Sequence, residues 1–247
     1  MPPPEPIPVT PLTVLNLGIT PYEEVLGMQR ALHRALLDGD GAAPDTLLVT
    51  EHPSVITMGR SASRENILVQ EPQLAQRGIS VVEIERGGDV TYHGPGQIVC
   101  YPIIDLAKKY RDVGWYMRGI EECVLRTLGD FRISAERIPG KTGVWLAQGT
   151  DDNSPRRLQK IAAQGVRISR WKTLHGFSLN IFAQHDGFSL INPCGFTDIE
   201  VVSMEEALDT SYEGQPLSYT TVSSRLVEHF CEVFAFEPKE CQPVKNP

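Results

Sequence analysis

Cys194 and Lys160 are the two side chains of this 247-residue sequence best suited to covalent and proton-transfer chemistry. Cys194 stands in Ile191-Asn192-Pro193-Cys194-Gly195-Phe196, between a proline and a glycine. Those neighbours favour a tight turn over a strand or helix interior. A turn can hold a thiol at a cleft edge, where backbone N–H groups stabilise a thiolate or an oxyanion. The competing reading is a loop cysteine without a role. Cys100, Cys123 and Cys231 lie in apolar patterns and read as core, and Cys241 reads as part of a tail. Lys160 opens the small, apolar run Lys160-Ile161-Ala162-Ala163-Gln164-Gly165-Val166. An ammonium packed there would be partly desolvated, which equips a lysine for proton transfer. The alternative is an ordinary surface lysine at the start of a strand.

A third feature is Arg86-Gly87-Gly88-Asp89-Val90-Thr91-Tyr92-His93-Gly94-Pro95-Gly96-Gln97. Two glycine clusters flank a short Thr91-Tyr92-His93 strand. Glycine lets backbone approach a ligand closely, so this segment reads as one wall of a small-molecule cleft. Arg86 could meet a carboxylate or a phosphate there. His93 and His175 each precede a glycine, and either could be a base, a pocket wall or a structural residue. The sequence has no C-x-x-C, His-x-x-x-His or His-x-Glu pair and no Walker-type loop, so no metal site and no nucleotide phosphate loop are expected.

Several elements must position these residues. Thr20 is expected to cap a first helix, with Pro21 in its first turn and Glu23 completing a capping box. Tyr22, Val25, Leu26, Leu32, Ala35 and Leu36 form its apolar stripe. Strands are expected over 45–50, 55–58, 79–85, 98–103, 143–146, 160–168 and 173–181. Further helices are expected over 115–128, over 203–208 with Ser203 as cap, and around Val222, Leu226, Val227, Phe230, Val233 and Phe234. This order is not a regular strand–helix alternation. It predicts an α+β domain, a mixed or antiparallel sheet with helices packed on one side. One domain is expected over 12–238, between a disordered proline-rich tail, 1–11, and a C-terminal tail, 239–247; residues 149–157 read as a polar loop.

Net charge is −8, which gives no support to binding nucleic acid or an anionic membrane. No apolar run approaches a membrane span, and no signal pattern opens the chain. Five widely spaced cysteines suit a reducing cytosol, so a cytoplasmic protein is expected.

Together these pieces resemble the lipoyl(octanoyl) transferases, the lipoate-protein ligase B family. The resemblance is carried by Gly59-Arg60-Ser61 with Asn66, by Arg86-Gly87-Gly88 with Thr91, and by His93-Gly94-Pro95-Gly96-Gln97 with Tyr101-Pro102. It continues through 141–145, Lys160-Ile161-Ala162-Ala163, His175-Gly176-Phe177 with Leu179-Asn180, and Pro193-Cys194-Gly195. It implies a biotin/lipoate protein ligase-like fold of the class II synthetase kind, with two layers. It implies transfer of octanoyl from octanoyl-acyl carrier protein to a lysine of a lipoyl domain, the first step of endogenous lipoate assembly. Acceptors would be the lipoyl domains of 2-oxoacid dehydrogenases and the glycine cleavage H protein. Neither ATP nor a metal would be needed. Cys194 matches the family's acyl-accepting cysteine and Lys160 its partner lysine. Arg86, Gly87, Gly88, Asp89, Val90, Thr91, Tyr92 and His93 match one substrate-binding segment. Ala163, Gln164 and Gly165 match a second, and Gly176, Phe177 and Ser178 a third. The sequence departs from the family pattern at Ser178, where alanine is usual, and in the longer loop 149–157.

Docking an acidic carrier protein on this acidic chain would require a local basic patch. Arg60 with Arg64, or Lys108, Lys109 and Arg111, are candidates, against the reading of a solvated charged face. Two other functions compete. One is an ATP-dependent lipoate or biotin ligase of the same fold, and the other is a non-catalytic paralogue that only binds acyl groups or lipoyl domains.

Overall fold

The computed structural model describes residues 6–39, 43–147, 158–183, 185–193, 199–208 and 212–240. Its elements run β1 (Thr10–Ile19), α1 (Tyr22–Asp38), β2 (Asp45–Glu51), β3 (Val55–Met58), α2 (Glu71–Gln76), β4 (Ser80–Glu83), β5 (Val90–His93), β6 (Gln97–Ile103) and α3 (Val113–Asp130). They continue with β7 (Glu136–Ile138), β8 (Lys141–Ala147), β9 (Leu158–Ser169), β10 (Lys172–Asn180), α4 (His185–Phe188), β11 (Ile199–Val201), α5 (Met204–Ala207), α6 (Tyr219–Val233) and β12 (Phe236–Glu240).

The main sheet has the order β12-β1-β2-β6-β10-β9-β8-β7, with β11 pairing β9, and a small sheet has the order β4-β3-β5. Parallel pairs (β12 with β1, β1 with β2, β11 with β9) and antiparallel ones make the main sheet mixed. β6 lies at its centre and every residue of it is buried. The alternation of a strand divides its side chains between two cores. Ile98 and Cys100 join α3 and α6 on one face, and Val99, Tyr101 and Ile103 join α1 on the other. The expected α+β class is therefore what forms, with one particular differing. Helices α3 and α6 share a face, whereas the apolar stripe of α1 covers the opposite one. Cys100, Cys123 and Cys231 are core residues.

The two ends of the domain differ from expectation. β1 starts at Thr10, inside the stretch read as a tail, and β12 extends through Lys239 and Glu240, beyond the expected boundary at 238. A proline stands in each strand. Pro11 pairs on the β12 side only, and Pro238 sits on an edge strand, two positions where a missing N–H is tolerated. The start of α1 also differs. Pro21 occupies the cap position, no side chain caps the helix, and the Thr20 hydroxyl donates to Leu17 O at 2.8 Å instead. The Ser203 cap is present, and Glu206 closes its capping box. Loop 149–157 and Cys241 lie outside the described residues.

Pro102 interrupts the centre of the main sheet. β6 and β10 pair only from Gln97 to Cys100. Beyond that Pro102 has no N–H to offer. The Thr173 hydroxyl takes over, donating to Pro102 O at 2.6 Å and accepting from Ile104 N at 2.9 Å. Between these two modes of pairing His175 takes a left-handed φ of 63°, uncommon for a non-glycine residue within a strand.

Candidate active site

Three glycine-containing segments converge on one cavity of about 320 Å³. Arg86, Gly87, Gly88, Asp89, Val90, Thr91 and His93 form one wall; Ala163, Gln164 and Gly165 form a second, and Gly176, Phe177 and Ser178 a third. Tyr92, expected among them, does not line it. Alternation along β5 sends Tyr92 away from the face of Thr91 and His93. Its ring packs 5.5 Å from Phe188, and its hydroxyl meets Ser54 Oγ at 2.8 Å.

The segments are held by their backbones. Gly87 N donates to Val166 O at 3.1 Å, while Arg60 N and Ser61 N donate to Arg86 O and Gly88 O. The Arg86 guanidinium is buried and donates to Thr57 O at 2.8 Å and Thr57 Oγ1 at 3.1 Å. Asp89 accepts from Val90 N at 2.7 Å and from Asn66 Nδ2 at 2.6 Å, which fastens loop 59–66 to the cavity wall. Gly176 is required by the sheet as much as by a ligand, since a Cβ there would overlap Cys100 O on β6. Tyr22, Ser61, Val99, Tyr101, Thr142 and His175 complete the lining. Of these, His175 carries a pocket signal of its own in the sequence, while Ser61, Tyr101 and Thr142 lie in motifs of the family resemblance. Tyr22 had been legible only as part of a helix stripe.

Lys160 is 5 % exposed, so the surface-lysine reading does not hold. Trp145, its partner across β8 and β9, is fully buried, and the Lys160 ammonium lies over the indole ring, 4.9 Å from its centroid. A cation over an aromatic face is stabilised by the ring quadrupole. Lys160 also borders a second, small cavity with Thr91, Ala162, Ala163, Ser178, Asn180, Phe188, Pro193 and Val201. Thr91, Ala163 and Ser178 line both cavities, so the large one adjoins the Lys160 site. Pro193, the residue before Cys194, lines the small one. Cys194 itself lies outside the described residues.

Gly143 makes room for Lys160. Its φ is 104°, and a Cβ there would stand 2.5 Å from Ala162 O and 2.8 Å from Lys160 Cε. Gly143→Ala is expected to displace the lysine, lowering turnover roughly 10²-fold and stability by about 1–3 kcal/mol. Turnover and thermal melts of the variant check this; normal turnover would mean that the Lys160 position is not critical.

A polar chain runs beneath the site. His93 Nδ1 meets Gln97 Oε1 at 2.6 Å, Gln97 Nε2 donates to Asn180 Oδ1 at 2.8 Å, and Asn180 Nδ2 donates to Val202 O at 3.0 Å. Val202 N in turn donates to Lys160 O at 3.0 Å. Because Gln97 presents an acceptor, Nδ1 of His93 carries the proton. His52 joins Thr20 O at 2.7 Å to the Tyr101 hydroxyl at 2.8 Å.

Burial pushes the His52 imidazole down to about 4 and that of His175 to about 4. It pushes His93 to about 3, with help from nearby His52. His93 and His175 are thus weak bases, which argues against the base role open to them from sequence. The same shifts set the acid sensitivity of the fold. In the unfolded chain these groups titrate near pH 6.5, at about their ordinary value. Below that the unfolded chain binds more protons than the folded one. The stability they supply is therefore present above pH ~6.5 and is lost as pH falls toward their folded values. The loss by pH 5 is roughly 2 kcal/mol per histidine. Urea midpoints at pH 7 and pH 5 read it, because most carboxylates stay ionised in both states across that interval. Equal midpoints would contradict the burial assignment.

Of the basic clusters, Lys109 is committed to Pro8 O and Ala235 O at 2.8 and 2.7 Å, and Lys108 lies 3.8 Å from Asp45. Arg64 pairs with Glu71, while Arg60 is exposed beside the cavity residue Ser61. Among the described residues no group of three metal-ligating side chains occurs, and no helix is long and apolar enough to cross a membrane.

The sequence and the fold match those of known proteins. Residues 21–231 match the lipoyl protein ligase A/B catalytic domain. The octanoyltransferase of Solibacter usitatus is 44 % identical over 222 residues, 90 % of this chain and 92 % of that protein. The octanoyltransferase of Myxococcus xanthus is 42 % identical over 233 residues, and the match spans 94 % of this chain but only 62 % of that longer protein. A bipartite lipoate protein ligase from Thermoplasma acidophilum shares the fold, with a TM-score of 0.68 at 17 % identity over 96 % of this chain and 88 % of that one. The glycine-lined cavity, the buried lysine beside it and these similarities lead to one conclusion: the chain belongs to the lipoyl protein ligase A/B catalytic-domain family and to the octanoyltransferases.

Proposed function

We propose that this chain is a cytoplasmic acyltransferase that moves octanoyl from octanoyl-acyl carrier protein to a lysine of a lipoyl domain, through a thioester on Cys194. The observation that carries the reading is the Lys160 site. A buried ammonium borders a cavity lined by the residue before Cys194, and that cavity adjoins the larger glycine-walled one.

In the first step the Cys194 thiolate attacks the carrier thioester, and the phosphopantetheine sulfur leaves as the thiol by taking the proton of the Lys160 ammonium, which leaves Lys160 neutral. One thioester replaces another, at little net free-energy change. An unperturbed thiol near pKa 8.5 is only a few per cent ionised, roughly, at neutral pH, so a neighbouring ammonium helps by favouring the thiolate. In the second step the acceptor lysine must attack as a free amine, a form that is about one in a thousand at pH 7. Lys160 is suited to taking the amine's proton as the amide forms and Cys194 leaves. Amide formation from a thioester is downhill, so the reaction requires neither ATP nor a metal.

The large cavity supports an acyl chain as ligand. Val90, Val99, Phe177 and glycine backbone give it apolar walls. Burying seven carbons of the chain would contribute roughly 6 kcal/mol. Acceptors of this chemistry are the lipoyl domains of 2-oxoacid dehydrogenases and the glycine cleavage H protein.

Intact-mass spectrometry after mixing with octanoyl-acyl carrier protein, without ATP, tests the scheme. The expected result is a hydroxylamine-labile octanoyl adduct on Cys194 that a lipoyl domain discharges. Modification of the lipoyl domain only with ATP and free octanoate would instead establish an ATP-dependent ligase. No reaction under either condition would favour a binding-only protein.

A further inference from the structure

His175 is 1 % exposed and lines the large cavity, yet neither ring nitrogen has a hydrogen-bond partner among the described residues. The Glu85 carboxylate stands near it, with Oε2 3.8 Å from Nε2. That carboxylate is already engaged by the Arg30 guanidinium at 2.8 and 3.2 Å. A separation of 3.8 Å is too long for a direct hydrogen bond, so Glu85 does not satisfy the ring. Buried polar atoms in folded proteins are almost always satisfied, by protein or by ordered water. A ring placed in this position by a left-handed φ beside Pro102, and left without a protein partner, points to a ligand or water on the cavity side.

His175 stands at the end of the cavity remote from Lys160. Ser178 borders both cavities, and His175 lies three residues back along β10, about 10 Å at the rise of a strand. On β9 the wall runs the same way, from Ala163, shared with the Lys160 site, to Gly165. Gly87 N closes onto Val166 O there. An acyl chain with its carbonyl near Lys160 would therefore direct its tail toward His175.

We infer that His175 makes the inner end of the acyl cavity a polar subsite, hydrated when octanoyl is bound, which rejects longer apolar chains and accepts chains ending in a hydroxyl. The inference rests on the octanoyl-transfer reading of the cavity. A tail that stops short of the imidazole leaves its water in place. A longer alkyl tail strips that water and offers no hydrogen bond, whereas a terminal hydroxyl replaces it.

The test compares carrier-protein thioesters of octanoyl, nonanoyl and 8-hydroxyoctanoyl. The last two have the same number of chain atoms and differ only at the tip. With the unaltered enzyme, kcat/KM for 8-hydroxyoctanoyl should exceed that for nonanoyl by on the order of tenfold, the effect of one unsatisfied buried polar group. His175→Leu should reverse this order. His175→Asn, polar and tolerant of a left-handed φ, should keep it. A general structural role would lower all three rates together and leave their ratio unchanged. If the unaltered enzyme transfers octanoyl but handles nonanoyl as well as 8-hydroxyoctanoyl, the polar subsite is wrong. If it transfers none of the three, the octanoyl reading itself fails. The comparison on the unaltered enzyme decides the matter even where His175→Leu does not fold.

Discussion

Cys194→Ser is expected to abolish octanoyl transfer, lowering turnover roughly 10³-fold or more while the protein stays folded. The substitution changes one atom, so its consequence lies in chemistry and not in packing. A hydroxyl is almost wholly protonated where a thiol is partly ionised, so the attacking species disappears. Any acyl group that did reach the serine would be an oxygen ester, less activated toward the acceptor amine. The octanoyl adduct should vanish from intact-mass spectra, while the serine variant should still bind octanoyl-acyl carrier protein, because the glycine-walled cavity does not depend on the thiol. Near-normal turnover of Cys194→Ser would rule out the covalent route and leave direct transfer from carrier to acceptor.

Lys160→Ala should lower turnover about 10²–10⁴-fold, the range for loss of a positioned proton-transfer group. Lys160→Arg separates the two functions proposed for this side chain. Arginine keeps a positive charge over the Trp145 ring but does not give up its proton in proteins. If charge alone mattered, Lys160→Arg would retain acyl-enzyme formation and discharge. The expected outcome is slow discharge of the acyl-enzyme to the lipoyl domain, measured by single-turnover mass spectrometry from preformed adduct. Loss of the octanoyl adduct in Lys160→Ala, together with normal folding by circular dichroism, would place the lysine in the first step as well. A variant with wild-type rates in both steps would remove Lys160 from the mechanism.

Much of the site was legible in the sequence because its signals are local. Pro193-Cys194-Gly195 signalled a turn from adjacent residue types alone, and Cys194 and Gly195 themselves lie outside the described residues. The stripes of α1, α3 and α6 repeat within a few residues, and each becomes a buried face. Gly87, Gly88, Gly165 and Gly176 marked places of close backbone approach, and all four line one cavity. The motifs in order carried the family.

Other features depended on residues distant in the chain. β1 and β12 were missed because Thr10 pairs with Phe236, at the opposite end of the domain, and their prolines locally oppose a strand. The burial of Lys160 comes from Trp145 across the sheet and from Gly143, whose missing Cβ leaves the lysine its place. Tyr92 left the site because strand alternation, once β5 paired with β3, turned its ring toward Phe188. The left-handed His175 stands just beyond the point where β10 stops pairing with β6, a matter of the neighbouring strand. Motifs in order thus pointed to the octanoyltransferases, and short glycine spacings marked the segments that wall the cleft. Only the tertiary structure decided which side chains are desolvated and which face the cavity, because burial and facing are set by cross-strand neighbours that no local window of sequence contains.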